Sequence, residues 1–382
     1  MHTSTAISDE GMASWLDQTM SYETPFFLFR RSKIRQNLRE FEMYFPSSLI
    51  HYAMKANSEP EVLRVVANSG CGFEVASLYE LNMLKEICVE PERIIYGSAV
   101  KLACHIKQFA QYGIDRFAFD SLPELEKIAV AAPRSRVFVR AKADDSGSVF
   151  QFSEKFGTSI ETVVPLLHRA QELGLHPYGI SFNVGSQARN PMAWAHSLKQ
   201  LRPVFEELQS NKMAVDVLNL GGGYPCKYAT DEPVASLSEI AKCTIAELNN
   251  FPFKPTLILE PGRRVVANTA VLVASVIERV ERNGRTWLFL DAGIYNALFE
   301  ALVYQGSTRY SVTSTRNYTC INETPFALAG PTGDGLDVIT REVFLPHDTD
   351  AGDRVVIHDV GAYTLSLCST FNGFPKPHVH FI

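Results

Sequence analysis

The chain has 382 residues, 46% of them hydrophobic and 11% aromatic, with 36 Lys+Arg against 42 Asp+Glu for a formal net charge of −6. That length suits two or three domains, or one large barrel with an appendage, and buries a core without disulfide or metal staples. The composition excludes disorder, collagen and coiled coil, and mild acidity without a Lys/Arg block excludes a dedicated nucleic-acid binder.

From the N-terminus, Met1 to Gln18 is polar and acidic, without the basic and apolar regions of a leader peptide. No apolar run reaches the ~20 residues of a membrane span, so the expectation is a soluble, cytoplasmic protein with no membrane partner. Short apolar, β-branched runs then alternate with helix-period segments. The candidate strands are Leu49–Met54, Gly72–Val75, Arg93–Tyr96, Arg116–Phe119, Arg136–Ala141, Tyr178–Val184, Val215–Leu220 and Thr256–Glu260. Helices are expected between them at Glu59–Asn68, Leu78–Glu86, Leu122–Ala131, Ser159–Leu173, Trp194–Leu208 and Leu237–Asn249. Ser121 followed by Glu124 reads as a capping box, and Gly174 falls where a helix should stop. Eight strands alternating with helices is the arithmetic of a (β/α)8 TIM-like barrel, placed at 30–268. Beyond it the rhythm changes. Val271–Val280, Trp287–Asp291, Val338–Phe344 and Arg354–Asp359 read as strands, with turns at Asn283-Gly284 and Ala351-Gly352. The expectation is a C-terminal all-β domain at 269–382; pattern alone leaves open whether 1–29 adds a strand to it.

Seven cysteines, at 71, 88, 104, 226, 243, 320 and 368, form no C-x-x-C pair, so reduced thiols are expected and no metal site. In a barrel, chemistry collects at the C-terminal strand ends. The first strand runs into Lys55, whose partial desolvation there would lower the amine pKa and make it a Schiff-base nucleophile, although spacing alone also allows an ordinary solvated lysine at a strand end. The seventh runs into Gly221, Gly222 and Gly223, whose bare N–H groups suit a phosphate cradle, although a tight turn explains the triplet equally well. The eighth ends at Glu260, three residues before Arg263; strand eight lies beside strand one, so Glu260 and Lys55 should be neighbours. The sixth adds Ser186. A lysine nucleophile, a carboxylate and a phosphate cradle together describe a pyridoxal 5′-phosphate site.

The segments His51–Asn57, Gly72–Ser77, Arg140–Ser146, Gly179–Ser186, Gly221–Pro225, Glu260–Arg263, Gly330–Asp337, Gly361–Thr364 and Ser369–Phe374 resemble, in order, the fold-type III PLP decarboxylases. This is the ornithine/diaminopimelate/arginine decarboxylase family, and the likeness is greatest to its ornithine branch. The resemblance implies decarboxylation of an α-amino acid through a Lys55 Schiff base and a quinonoid, with Glu260 at the pyridinium nitrogen and Asp334 also catalytic. It implies cofactor contacts from Ala53, Glu74, Arg140, Asn183, Ser186, Gly221, Gly222, Gly223, Arg263 and Tyr363, and substrate contacts from Tyr304, Gln305, Gly333, Asp334 and Phe371. It further implies a homodimer whose active sites are shared between subunits, acting on a small amino acid. Four positions depart from the ornithine branch: Glu74 replaces an aspartate, Asn183 a ring-stacking histidine, Gly333 a proton-donating cysteine, and Gln305 an acidic residue. These departures favour an ornithine-like or modified substrate, and keep open oxidative deamination, racemisation or a non-catalytic relative of the antizyme-inhibitor kind.

Overall fold

The computed structural model describes residues 19, 21–229, 233–304, 310–315 and 322–382. It divides into two units: Arg30–Thr269 with Gly361–Ser366, and Ala270–Val360 with Leu367–Ile382 and the segment ending at Phe29. Strand β1 (Phe26–Phe29) belongs to the second unit.

In the first unit, β2 (Leu49–Ala53), β3 (Gly72–Val75), β4 (Ile94–Tyr96), β5 (Arg116–Phe119) and β6 (Arg136–Arg140) follow one another, each separated from the next by a helix. After β6 come β7 (Ser148–Phe150), β8 (His176–Ser181), β9 (Ser186–Ala188), β10 (Val217–Asn219) and β11 (Thr256–Leu259). Eight of these strands close into a barrel in the order β10-β11-β2-β3-β4-β5-β6-β8, and β7 and β9 pair separately. All eight barrel neighbours run parallel, buried on both faces, which is why they read in the sequence as nearly unbroken apolar runs. Ile95, Ala118, Phe138, Val217 and Ile258, from five strands, form one buried cluster with Tyr178 packed on it. Each large member contributes roughly 1.5–3 kcal/mol of burial. The pairing of β11 with β2, Ile258 opposite Leu49 and Leu259 opposite Ile50, puts the ends of the first and last barrel strands side by side.

The Ser121–Glu124 capping reading is overturned. Ser121 makes no side-chain cap bond at the helix Leu122–Ala131. Glu124 is instead drawn inward, 2.9 Å from Lys101 Nζ and 2.5 Å from Lys127 Nζ, with its side chain 3% exposed. Lys101 also donates to the Ser98 and Ala118 carbonyls, so a helix, a loop and a strand converge on one buried ammonium. A two-sided capping box forms at Ser236 and Glu239, before the helix Leu237–Leu248. Gly174, at φ +74°, follows the helix Ile160–Glu172 as expected.

The second unit is a mostly antiparallel sheet. Its further strands are β12 (Ala270–Arg282), β13 (Arg285–Leu290), β14 (Val312–Ser314), β15 (Glu323–Ala329), β16 (Val338–Pro346), β17 (Arg354–Ile357) and β18 (His378–Phe381). The order is β14-β17-β12-β13-β15-β16, with β1 against β12 and β18. Asn283 and Gly284 both have positive φ, the geometry of a two-residue hairpin joining β12 to β13. The 330–337 turn is tied by Asp337, which is buried and accepts from the amides of Ile294 and Thr332 and from the Thr332 hydroxyl. Strands β1, β14, β15 and β18 carry weak signals in sequence: β14 has three residues, β15 contains Pro325, and β18 alternates histidines.

Glu124→Ala leaves Lys101 buried without its carboxylate and should cost about 3–5 kcal/mol, measured by denaturant unfolding. Ser236→Ala should cost about 1 kcal/mol and Ser121→Ala less than about 0.5 kcal/mol. A Ser121→Ala loss as large as that of Ser236→Ala would restore the capping box at Ser121.

Candidate active site

Strand β2 hands over to a tight turn, Met54–Ala56, in which Met54 and Ala56 are fully buried while the Lys55 side chain is 47% exposed. The turn is pinned from both sides. Asn57 donates to the Gly361 carbonyl at 2.8 Å, and the Tyr363 amide donates to the Ala56 carbonyl at 2.8 Å. Anchoring the two flanking residues leaves Lys55 as the one side chain of the turn directed into the mouth.

Around its amine stand two glutamates. Glu74, on β3 beside Ala53, places Oε2 3.7 Å from Lys55 Nζ and is buried. Glu260, just past β11, accepts from Asn219 Nδ2 at 2.6 Å, and its amide donates to the Gly221 carbonyl. Burial, then the neighbouring Glu74, push the Glu260 carboxyl up to about 7. Arg140, half-buried at the end of β6, acts on both carboxylates and offsets part of their repulsion. The expected lowering of the Lys55 pKa is overturned: the Glu74 carboxylate outweighs desolvation and holds the ammonium above its ordinary value.

Arg263 is buried, donating to the Tyr228 hydroxyl at 3.1 Å and the Ser186 hydroxyl at 3.3 Å, with its guanidinium 4.5 Å from the Tyr363 ring centre. Lys55, Asn183, Gly222, Glu260, Arg263 and Tyr363 line one small cavity, which Ala53, Ser186 and Gly223 also border. Asn183 uses Oδ1 to accept from the Gly185 amide, so it fixes its own turn.

The glycine triplet divides. Gly222 and Gly223 line the cavity, and a Cβ would stand 2.7 Å from the Glu260 carbonyl oxygen on the first and 2.6 Å from the Gly185 carbonyl oxygen on the second. Gly221 does not line it. Its N–H donates to Asn219 Oδ1 at 2.9 Å, and a Cβ there would collide with the Phe182 carbonyl oxygen. Gly221 is thus corrected from phosphate ligand to turn residue: its φ of +64° and the Phe182 carbonyl require a glycine.

The remaining candidates belong to the second unit or lie outside the description. Asp334 caps its own turn, accepting from the Leu336 amide at 2.8 Å. Gly333 is exposed with open space around it, and Phe371 is 41% exposed against Tyr295. Gln305 and the side chain of Tyr304 lie outside the described residues. Sequence reasoning missed Asn219, Tyr228 and Phe152, which orient Glu260, hold Arg263 and border the cavity. A polar residue ending an apolar strand was the available signal for Asn219. Among the described residues no cluster of His, Cys, Asp or Glu could hold a metal ion, and no helix is long and apolar enough to cross a membrane.

These donors suit pyridoxal phosphate. The cavity joins a lysine amine, a carboxylate fixed by an amide, and a buried arginine flanked by hydroxyls. Its Gly222 and Gly223 walls have no room for a Cβ.

In cofactor-free protein, Glu260 favours the fold when protonated, so its contribution is full below about 4.5 and lost as pH rises through about 7. Glu260→Gln should therefore raise Tm by a few degrees at pH 8, with the gap closing below pH ~4.5. A gap that does not change with pH would contradict the raised carboxyl.

The family model described as "Pyridoxal-dependent decarboxylase, pyridoxal binding domain" matches residues 31–267. A lysine/ornithine decarboxylase of Selenomonas ruminantium is 34% identical over 354 residues, covering 92% of this chain and 88% of that protein. Antizyme inhibitor 2 of Xenopus laevis is 31% identical, covering 97% and 82%. A crystal structure of SrLDC in complex with PLP and cadaverine superposes with a TM-score of 0.87 at 32% identity, over 98% of this chain and 93% of that one. The family match over the barrel, the fold and the mouth geometry agree: this chain belongs to the pyridoxal-dependent decarboxylases, enzymes that remove the carboxyl group of amino acids with pyridoxal phosphate.

Proposed function

We propose that this protein decarboxylates an ornithine-like or modified α-amino acid, with Lys55 as the attachment point of the cofactor. The observation that carries the reading is one mouth lysine that pairs with Glu74 and shares a cavity with Glu260 and Arg263. Similarity to relatives such as the lysine/ornithine decarboxylase of Selenomonas ruminantium supports a substrate with a basic side chain. Bound pyridoxal phosphate supplies an electron sink for the substrate α-carbon.

The chain's own residues divide the work. Lys55 would hold the aldehyde end, and Arg263 with Ser186 would hold the phosphate through charge-assisted bonds. Glu260, oriented by Asn219, would hold a proton at the ring nitrogen, and a carboxyl raised toward neutrality shares such a proton readily. Arg140 keeps the two glutamates compatible in one mouth. Asp334 and Phe371 are read as substrate-side residues, with Tyr304 and Gln305. Leu336, 58% exposed, and Phe371, 41% exposed, support the further reading that the protein is a homodimer in which these segments complete a partner's site.

The test is a panel of basic and modified α-amino acids incubated with cofactor-loaded protein, with CO2, ammonia, peroxide and the D-isomer all assayed. CO2 with the matching amine is expected from at least one substrate, and Lys55→Ala should lower turnover by at least about 10³-fold. Ammonia or D-isomer without CO2 in every active reaction would replace decarboxylation by deamination or racemisation. No product from any substrate, with cofactor bound, would favour a binding relative of the antizyme-inhibitor kind. Gly333→Cys, at a position open enough for a thiol, should change the ratio of amine to by-products. An unchanged ratio would exonerate position 333.

A further inference from the structure

Gly97 follows β4, and its amide donates to the Val75 carbonyl at 3.0 Å, seating its Cα against the end of β3. Its φ lies outside the left-handed region, so its backbone conformation does not require glycine. Space does. A Cβ on Gly97 would stand 2.6 Å from Glu74 Cγ and 2.8 Å from Cδ, and closer still to Oε1. One carboxylate oxygen of Glu74 therefore rests on the bare Cα of Gly97, and the other lies 3.7 Å from Lys55 Nζ. The atoms that a new side chain would meet first, Oε1, Cγ and Cδ, all belong to the Glu74 side chain and none to backbone. A methyl group at 97 is accommodated by moving the carboxylate, and the carboxylate is what faces the amine.

We infer that Gly97 is a positioning residue: positions 97 and 74 act as one unit that sets where the carboxylate stands beside the Lys55 amine. The consequence falls on the proton of Lys55. Its surroundings are Glu74, Tyr363, Glu260 and Arg140, with Glu74 the strongest influence and Arg140 opposing. Behind Glu74 stands Glu80, its carboxyl accepting from the Ala76 amide at 2.6 Å and pushed by burial up to about 7. An amine attacks a carbonyl only as the free base. Displacing Glu74 therefore releases the Lys55 proton at lower pH and removes the carboxylate's hold on the geometry of the amine. This inference rests on Lys55 as the attachment point; the pH at which its amine becomes reactive can be read without cofactor.

The experiment is a double-mutant cycle on the full chain with Gly97→Ala, Glu74→Ala, Glu74→Asp and their combinations. The first readout is the pH dependence of Lys55 acylation by acetic anhydride in cofactor-free protein, quantified by peptide mass spectrometry. The second is the Kd for pyridoxal phosphate, and the third is Tm. Gly97→Ala is expected to keep Tm near that of the parent, shift the onset of acylation to lower pH as Glu74→Ala does, and weaken cofactor binding by about tenfold. Adding Glu74→Asp, one methylene shorter, should recover part of both effects. In the Glu74→Ala background, where nothing occupies the seat, adding Gly97→Ala should change neither. Parent-like acylation and Kd for Gly97→Ala would overturn the inference, as would additive effects in the cycle. So would unfolding by Gly97→Ala that persists in the Glu74→Ala background, which would mean that backbone fills the space. Loss of all CO2 production by the parent would count against the proposed function alone, since the acylation profiles do not depend on it.

Discussion

A buried carboxylate beside an ammonium is the interaction on which this barrel mouth depends. Glu74 cannot leave water cheaply unless a cation meets it, and Lys55 Nζ at 3.7 Å is that cation. The same charge keeps the lysine protonated against the desolvation that would otherwise strip it. Glu260 adds a second carboxyl to the same space; burial and then Glu74 raise it, and the half-buried Arg140 acts on both. The mouth thus brings two acids and two bases together at one set of strand ends.

That balance needs a rigid frame. The barrel supplies it by joining β11 to β2 and β2 to β3, so that residues 55, 74 and 260 emerge from three adjacent strands. Small residues let the strand exits close together: Gly222 lies against the Glu260 carbonyl, and Gly262 against Ala53 and Ala56. Hydrogen bonds from Asn57 and Tyr363 clamp the lysine turn to the 361–366 segment, which is part of the barrel unit despite its late place in the chain. Positions 304 residues apart in sequence thus serve one site.

Much of this was legible beforehand, for a physical reason. Strands buried on both faces carry apolar runs that need no partner to be recognised, so Gly72–Val75 and Arg116–Phe119 could be read to the residue. The adjacency of Lys55 and Glu260 followed from closure alone. What could not be read is whatever tertiary contacts decide. Ser121-x-x-Glu124 and Ser236-x-x-Glu239 look alike, yet Lys101 pulls Glu124 inward while Ser236 and Glu239 form a two-sided capping box. A glycine triplet does not announce that Gly221 spends its N–H on Asn219. Nor does a lysine at a strand end reveal the sign of its shift, because the deciding charge sits on the next strand, on a seat made by Gly97 on the one after.

The central claim is that Lys55 is the residue this architecture exists to present. Reducing the cofactor-loaded protein with borohydride and locating the added pyridoxyl mass by peptide mapping tests it most directly. The mass is expected on the peptide containing Lys55 and nowhere else. Label on another lysine, or none at all with pyridoxal phosphate demonstrably bound, would contradict it.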